Sequence, residues 1–177
     1  MLNKIIYFFF LILGLETLQI GFIGGLPSVF TGLNIIIIAL IFILALKDFE
    51  SAAILALGAG FVEDIYSFSP FGLRILSLFL TLLAVNFLYV SFFTNRSLYS
   101  FLALAALANL AYIILEKIAG ILIGYSGGQA VIFSGQAFLS SAFRAIALNA
   151  ILAAAVFYAI NFISQKFKPV FLLRKRS

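Results

Sequence analysis

The sequence predicts an all-α integral membrane protein, a compact bundle of six transmembrane helices with both termini cytoplasmic. Three observations carry this expectation. Of 177 residues, 65% are hydrophobic and only 10% charged, whereas a soluble domain is about half apolar and about a quarter charged. The apolar residues fall into runs of about 20, the length that crosses a bilayer, so six spans with short turns use up the chain and leave no room for a soluble domain. Lys and Arg cluster on the side that the cytoplasm would occupy.

The first run extends from about Ile5 to Ile23, preceded only by Asn3 and Lys4. No small-x-small cleavage pattern follows before Pro27, so it reads as a retained span. The second runs from about Val29 to Leu46 and ends at the polar turn Lys47, Asp48 and Glu50. Asp48 suits the N-cap of the third helix and Glu50 its first turn. The third helix reaches about Tyr66, and Ser67 to Ser69 form a turn. Ser69-Pro70 reads as a helix start, serine capping and proline at the first helical position, and the fourth helix runs to about Phe93. After Thr94-Asn95-Arg96 the fifth runs from about Ser97 to Ile123. The longest polar connection, Gly124 to Gln136, leads to the sixth, from about Ala137 to Ile163. The transmembrane domain is thus residues 1–165 and a basic cytoplasmic tail residues 166–177. With the N-terminus inside, Lys4, Lys47, Arg96 and the tail (Lys166, Lys168, Arg174, Lys175, Arg176) are cytoplasmic, and the outer loops carry no Lys or Arg. The tail, with its apolar stretch Pro169-Val-Phe-Leu-Leu, fits topology anchoring at the anionic inner leaflet or contact with a cytoplasmic filament.

Small residues recur every four positions: Ala52, Ala56 and Gly60 on the third helix, Ser141, Ala145, Asn149 and Ala153 on the sixth, and the pairs Gly21/Gly25 and Gly120/Gly124. Such faces let helix backbones approach closely, within one bundle or against a partner helix.

Seven charges fall within the spans: Glu16, Glu63, Asp64, Arg74, Glu116, Lys117 and Arg144. A charge in the bilayer costs a few kcal/mol or more unless paired or hydrated. At about 1.5 Å of rise per residue all seven lie in the outer half, which points to a nearly balanced network with Glu16, Asp64, Arg74, Glu116 and Arg144 among its buried members. Arg74 is long enough to reach Asp64 across the hairpin of helices three and four. The network either fixes helix register, lines a cavity or partner groove, or forms an ion or proton path.

The chain contains no Cys and no His, which excludes disulfides, Cys/His zinc sites and an imidazole base. Its two aspartates, Asp48 and Asp64, fall at opposite membrane faces, unlike a facing aspartyl pair, and no phosphate-binding Gly-rich loop occurs. Glu63-Asp64 is a weak metal-ligand pattern. The expectation is a protein that is not an enzyme, with no cofactor, metal or nucleic-acid partner.

The stretch from Lys47 to Leu76, KDFESAAILALGAGFVEDIYSFSPFGLRIL, resembles the rod shape-determining protein MreD family. The family pattern is a polar turn, a small-residue helix, Gly-x-x-x-Asp, a short Ser-containing turn and Pro-hydrophobic-Gly; Gly60, Asp64, Ser67, Pro70 and Gly72 stand at those positions. The run Asn34-Ile-Ile-Ile-Ile resembles the family's second helix, although Leu33-Asn34 stands where Pro-Asp is common. The resemblance implies a non-enzymatic scaffold of the bacterial elongation machinery in the cytoplasmic (inner) membrane. It would act with an MreC-like single-span protein, MreB, RodA and a class B penicillin-binding protein to direct lateral peptidoglycan synthesis and maintain rod shape. It further implies a fold similar to the substrate-binding subunits of energy-coupling factor vitamin transporters. Such a vitamin-binding subunit is the alternative reading, against which the first helix, FFFLILGLE, lacks the small-xxx-small docking pattern of those subunits.

Overall fold

A computed structural model of the chain describes residues 2–30, 32–67, 70–92, 98–122 and 135–172. All regular structure among them is helical. Helix α1 (Leu2–Glu16) continues into a π-helical turn (Thr17–Phe22) and a 3-10 turn (Ile23–Gly25). A second 3-10 turn (Ser28–Phe30) precedes α2 (Ile35–Leu46), followed by α3 (Phe49–Tyr66), α4 (Leu73–Phe92), α5 (Leu98–Leu122) and α6 (Gly135–Leu172). Five segments are long and apolar enough to cross a membrane: Ile6–Gly25, Ser28–Leu46, Leu73–Phe92, Leu98–Ala119 and Leu139–Phe162. The sixth element, α3, carries three carboxylates (Glu50, Glu63 and Asp64) in its 18 residues. The chain is a multi-pass helical membrane protein.

Helix α2 lies at the centre. Its sequence, IIIIALIFILAL, has no polar face to give to solvent, and a helix apolar all round belongs inside. Ile36, Ile37, Ile38, Leu40, Ile41, Phe42, Leu44 and Ala45 are all buried. It touches each of the other five helices, while α3, α4, α5 and α6 pack against one another in chain order. Phe101 of α5 stacks on Phe42 of α2 at 4.6 Å and meets Phe157 of α6 at 5.4 Å. Helix α1 lies at the edge, mainly against α3, where Ile12 fits over Gly58. Its exposed face carries Ile6, Tyr7, Phe9, Phe10 and Leu13.

The helix starts differ from expectation at two places. The second helix begins at Ile35, not Val29, because Asn34 is extended (φ −129°, ψ 98°) and its side chain accepts from the Ile37 N–H. Asn gains more by capping than inside a helix, where its side chain competes with the backbone. Twelve residues reach only about 18 Å, and the segment long enough to cross, Ser28–Leu46, includes the 3-10 turn Ser28–Phe30 ahead of the helix. The fourth helix begins at Leu73, not Pro70. Phe71 and Gly72 form the turn, closed by the Leu73 N–H on the Pro70 carbonyl at 3.3 Å; Gly72 has φ +96°, and Ser69, the expected cap, lies outside the described residues. The Asp48 cap agrees with expectation: its carboxylate accepts from the Ser51 N–H at 2.6 Å.

Two further differences concern extent and packing. Helix α6 runs without interruption through 38 residues to Leu172, past the expected end of the span at about Ile163. On the small-residue faces, Ala52, Ala56 and Gly60 are buried, as are Ala145, Asn149 and Ala153, but Ser141 is exposed. Gly21 and Gly25 are open on the side a Cβ would occupy, so their spacing marks no contact among the described residues. Gly124 and the turn Thr94-Asn95-Arg96 lie outside the described residues.

Candidate functional site: buried polar groups at the end remote from the termini

Successive antiparallel helices bring the ends of α1, α3 and α5 together with the start of α4, at the end of the bundle away from both termini. The α3–α4 hairpin is built around Asp64. Its Oδ2 accepts from the backbone N–H of Gly72 at 2.9 Å and of Ile75 at 3.2 Å, and its Oδ1 from the Arg74 N–H at 2.9 Å. These are N–H groups that the first turn of a helix leaves without intrahelical partners. A carboxylate at the positive end of the α4 dipole is also well placed electrostatically. Asp64 therefore caps α4 from the preceding helix, and the expected side-chain pair between Arg74 and Asp64 does not form.

The other residues of the hairpin pattern serve this geometry. Ser67 ends α3 in an extended conformation, with its N–H on the Glu63 carbonyl at 2.8 Å and its hydroxyl on the Asp64 carbonyl at 3.5 Å. Gly60 faces the α4 backbone; a Cβ there would lie 2.6 Å from Ile75 Cα and 3.0 Å from Ile75 N. Gly72 is required for its positive φ rather than for space, since a Cβ there would meet nothing within 4 Å.

The Arg74 guanidinium turns instead toward Glu63, Tyr112 and Glu116. Its Nη1 is 3.4 Å from both Glu63 Oε2 and the Tyr112 hydroxyl, and its Nη2 is 3.7 Å from Glu116 Oε1. Glu63 is buried, while Arg74 and Glu116 are each about a third exposed. Glu16, the last residue of α1, is near enough to feel the charges of Glu63 and Arg74. It is 2% exposed, and neither carboxylate oxygen has a hydrogen-bond partner among the described residues; the same holds for Arg74 Nε and Ser77 Oγ. The structure thus assembles Glu16, Glu63, Asp64, Arg74 and Glu116. Lys117 and Arg144, expected in the same network, are exposed on α5 and α6.

A second polar group, not singled out in the sequence as one, stitches the non-helical approach to α2 into the bundle. Asn149 Oδ1 accepts from the Asn34 N–H at 2.9 Å, and its Nδ2 lies 2.7–2.8 Å from the carbonyls of Gly32 and Ala145 and from Asn109 Oδ1. Gln19, in the π-helical turn, accepts from the Ile35 N–H at 2.9 Å and donates to the Leu33 carbonyl at 3.1 Å. Irregular backbone at membrane depth persists only where protein satisfies it, and these two amides supply that. The signal available in the sequence was an amide side chain standing alone in an apolar run, at Gln19, Asn34, Asn109 and Asn149.

Comparison with known protein families, curated proteins and solved structures gives no match for this chain.

Proposed function

We propose that this protein is a non-enzymatic scaffold of the bacterial cell-elongation machinery in the cytoplasmic membrane, of the MreD type, with six spans and both termini inside. The single observation that carries the reading is the hairpin from Gly60 to Arg74. Its resemblance to the MreD pattern comes from the sequence, and each of Gly60, Asp64, Ser67 and Gly72 has a structural task there. Residues used to hold two helices at close range suit a protein whose work is to present a fixed surface to other membrane proteins. The partner fitting that role is an MreC-like single-span protein, with MreB, RodA and a class B penicillin-binding protein in the same assembly.

The test is depletion in the source bacterium, together with affinity purification of the tagged full chain. The expected results are loss of rod shape and co-purification of an MreC-like protein. Unaltered shape with no such partner overturns the reading. Topology is checked by labelling from outside the cell, which the cysteine-free sequence makes clean: Ser28→Cys is expected to react and Glu50→Cys not.

The alternative, a vitamin-binding subunit of an energy-coupling factor transporter, is favoured by one observation, the buried polar atoms of Glu16, Arg74 and Ser77 that have no hydrogen-bond partner among the described residues. Retention of a vitamin through purification, with normal cell shape after depletion, would select it.

A further inference from the structure

Arg144 is the charge in this chain with the least to hold it. It lies five residues into the apolar stretch Leu139–Phe162, about 7 Å from its end at 1.5 Å per residue, and it is exposed on α6. A guanidinium at that depth is costly unless a countercharge or water reaches it. Lys117, also exposed, lies only two residues from the end of its stretch, Leu98–Ala119.

The chain itself has no countercharge to give. It contains six Asp and Glu residues, all of them among the described residues, so the remaining connections add no acid. Glu63 and Glu116 lie against Arg74, and Asp64 accepts from three backbone N–H groups. Glu16 is buried, and Asp48 and Glu50 start α3 at the opposite end of the bundle. A carboxylate for Arg144 has to come from another molecule.

The face that carries Arg144 is shaped for a helix. Arg144, Ala147, Ile151, Ala155 and Tyr158 follow one another at three- and four-residue steps, so they share one side of α6, and all are exposed. At about 1.5 Å per residue the line is roughly 21 Å long, most of the depth of a bilayer core. The exposed faces of neighbouring helices are bulky: α4 shows Leu83, Phe87 and Val90, and α5 shows Leu107, Leu110 and Ile114. On α6, Ala147, Ala155 and Ala159 are exposed instead. Small residues let a second helix backbone come close, which lipid chains do not require.

We infer that this face of α6 docks a transmembrane helix of another protein, one that bears an Asp or Glu at the depth of Arg144 and pairs with it. A second copy of this chain fits poorly, because it brings another Arg144 and no carboxylate that is not already engaged or buried. A lipid phosphate would answer the charge but leaves the alanine face below it without a role. The inference goes beyond the scaffold reading and does not rest on it, since any assembly of membrane proteins can supply such a helix.

The experiment places the full chain, with a donor dye at Ser28→Cys, in phosphatidylcholine vesicles. The probe is an acceptor-labelled synthetic Leu/Ala helix of about 20 residues with one Asp about 7 Å from its end; the same helix with Asn or Lys there is the control. Energy transfer is expected to show the Asp helix binding about ten- to hundredfold more tightly than the Asn helix, the range for a hydrogen bond to a charged group. Arg144→Asp is expected to reverse the order in favour of the Lys helix. Ala147→Phe with Ala155→Phe keeps the charge and is expected to weaken binding of the Asp helix about tenfold by holding the backbones apart. If the variants do not fold, the wild-type ranking of the three helices decides. Equal binding of all three overturns the inference, as does an Asp preference that survives Arg144→Asp or is untouched by the double Phe variant. Loss of the preference on adding phosphatidylglycerol overturns it in favour of a lipid phosphate. Transfer between two copies of the chain that the double Phe variant abolishes overturns it in favour of self-association.

Discussion

Two carboxylates at the same end of this bundle, Asp64 and Glu16, are buried to nearly the same extent and held in opposite ways. Asp64 is surrounded by backbone donors from α4, whereas Glu16 has none on either oxygen among the described residues. A buried charge whose hydrogen bonds are complete fixes structure. A buried carboxyl without such bonds contributes nothing comparable and costs stability if it is ionised. The contrast separates the hairpin, which organises the fold, from the buried carboxyl of Glu16 beside it, which does not hold the fold by hydrogen bonds among the described residues.

The largest effect should come from breaking the complete side of that comparison. Asp64→Ala orphans three N–H groups, each costing about 1–3 kcal/mol when desolvated, so a loss of roughly 3–5 kcal/mol is expected in denaturant titrations in micelles. Asp64→Asn keeps one acceptor oxygen and should lose less. If both variants unfold like the wild type, the cap does not hold the hairpin. Next is Gly60→Ala, whose Cβ would fall against the Ile75 backbone. Because backbone rather than a flexible side chain must move, a loss of about 2 kcal/mol is expected, within the range for overpacking, from the same titration. An unchanged midpoint would show that α3 and α4 separate freely.

How much of this was legible in the sequence follows from what a sequence can display. The α3–α4 hairpin was legible because Gly60, Asp64, Ser67, Pro70 and Gly72 are side-chain choices at fixed spacing. The partner of Asp64 was not, because backbone N–H groups occur at every residue and a search for countercharges finds Arg74 first. Counting rise per residue put Glu16, Glu63 and Glu116 in the same half of the bilayer, and the structure brings Glu63 and Glu116 onto Arg74. Counting rise says nothing of direction around the axis, however. Lys117 is about 100° from Glu116, and Arg144 is similarly rotated from buried Ala145, which carries both to the exposed surface. The late start of α2 was hidden because Val29 and Phe30 are as apolar as the helix proper, so hydropathy continues where the helix does not.

The polar stitching at α2 gives the next prediction. Asn149→Leu preserves volume but leaves the Asn34 N–H and the Gly32 carbonyl unpaired. A loss of about 2 kcal/mol is expected, above the roughly 0.6 kcal/mol typical of an interhelical hydrogen bond in a membrane, because irregular backbone has no alternative partner in lipid. A loss near that typical value would mean that water or Gln19 takes over. Glu16→Gln tests the incomplete side. Replacing a buried carboxyl that has no hydrogen bond among the described residues should leave stability unchanged or raised by about 1 kcal/mol, opposite in sign to Asp64→Asn in the same assay. Destabilisation by Glu16→Gln would show that the carboxylate has a structural partner.

The smallest effect is expected at Arg144, and it sets the boundary of the cluster. Arg144 lies five residues into the apolar stretch Leu139–Phe162, about 7 Å from its end at 1.5 Å per residue. A long cationic side chain at that depth can reach the interface with its charge while its methylenes lie along the helix. Exposed on α6, it contributes to orientation rather than to cohesion. Arg144→Gln should therefore change stability by less than about 0.5 kcal/mol in the same titration. A loss comparable to that of Asp64→Ala would place Arg144 inside the network.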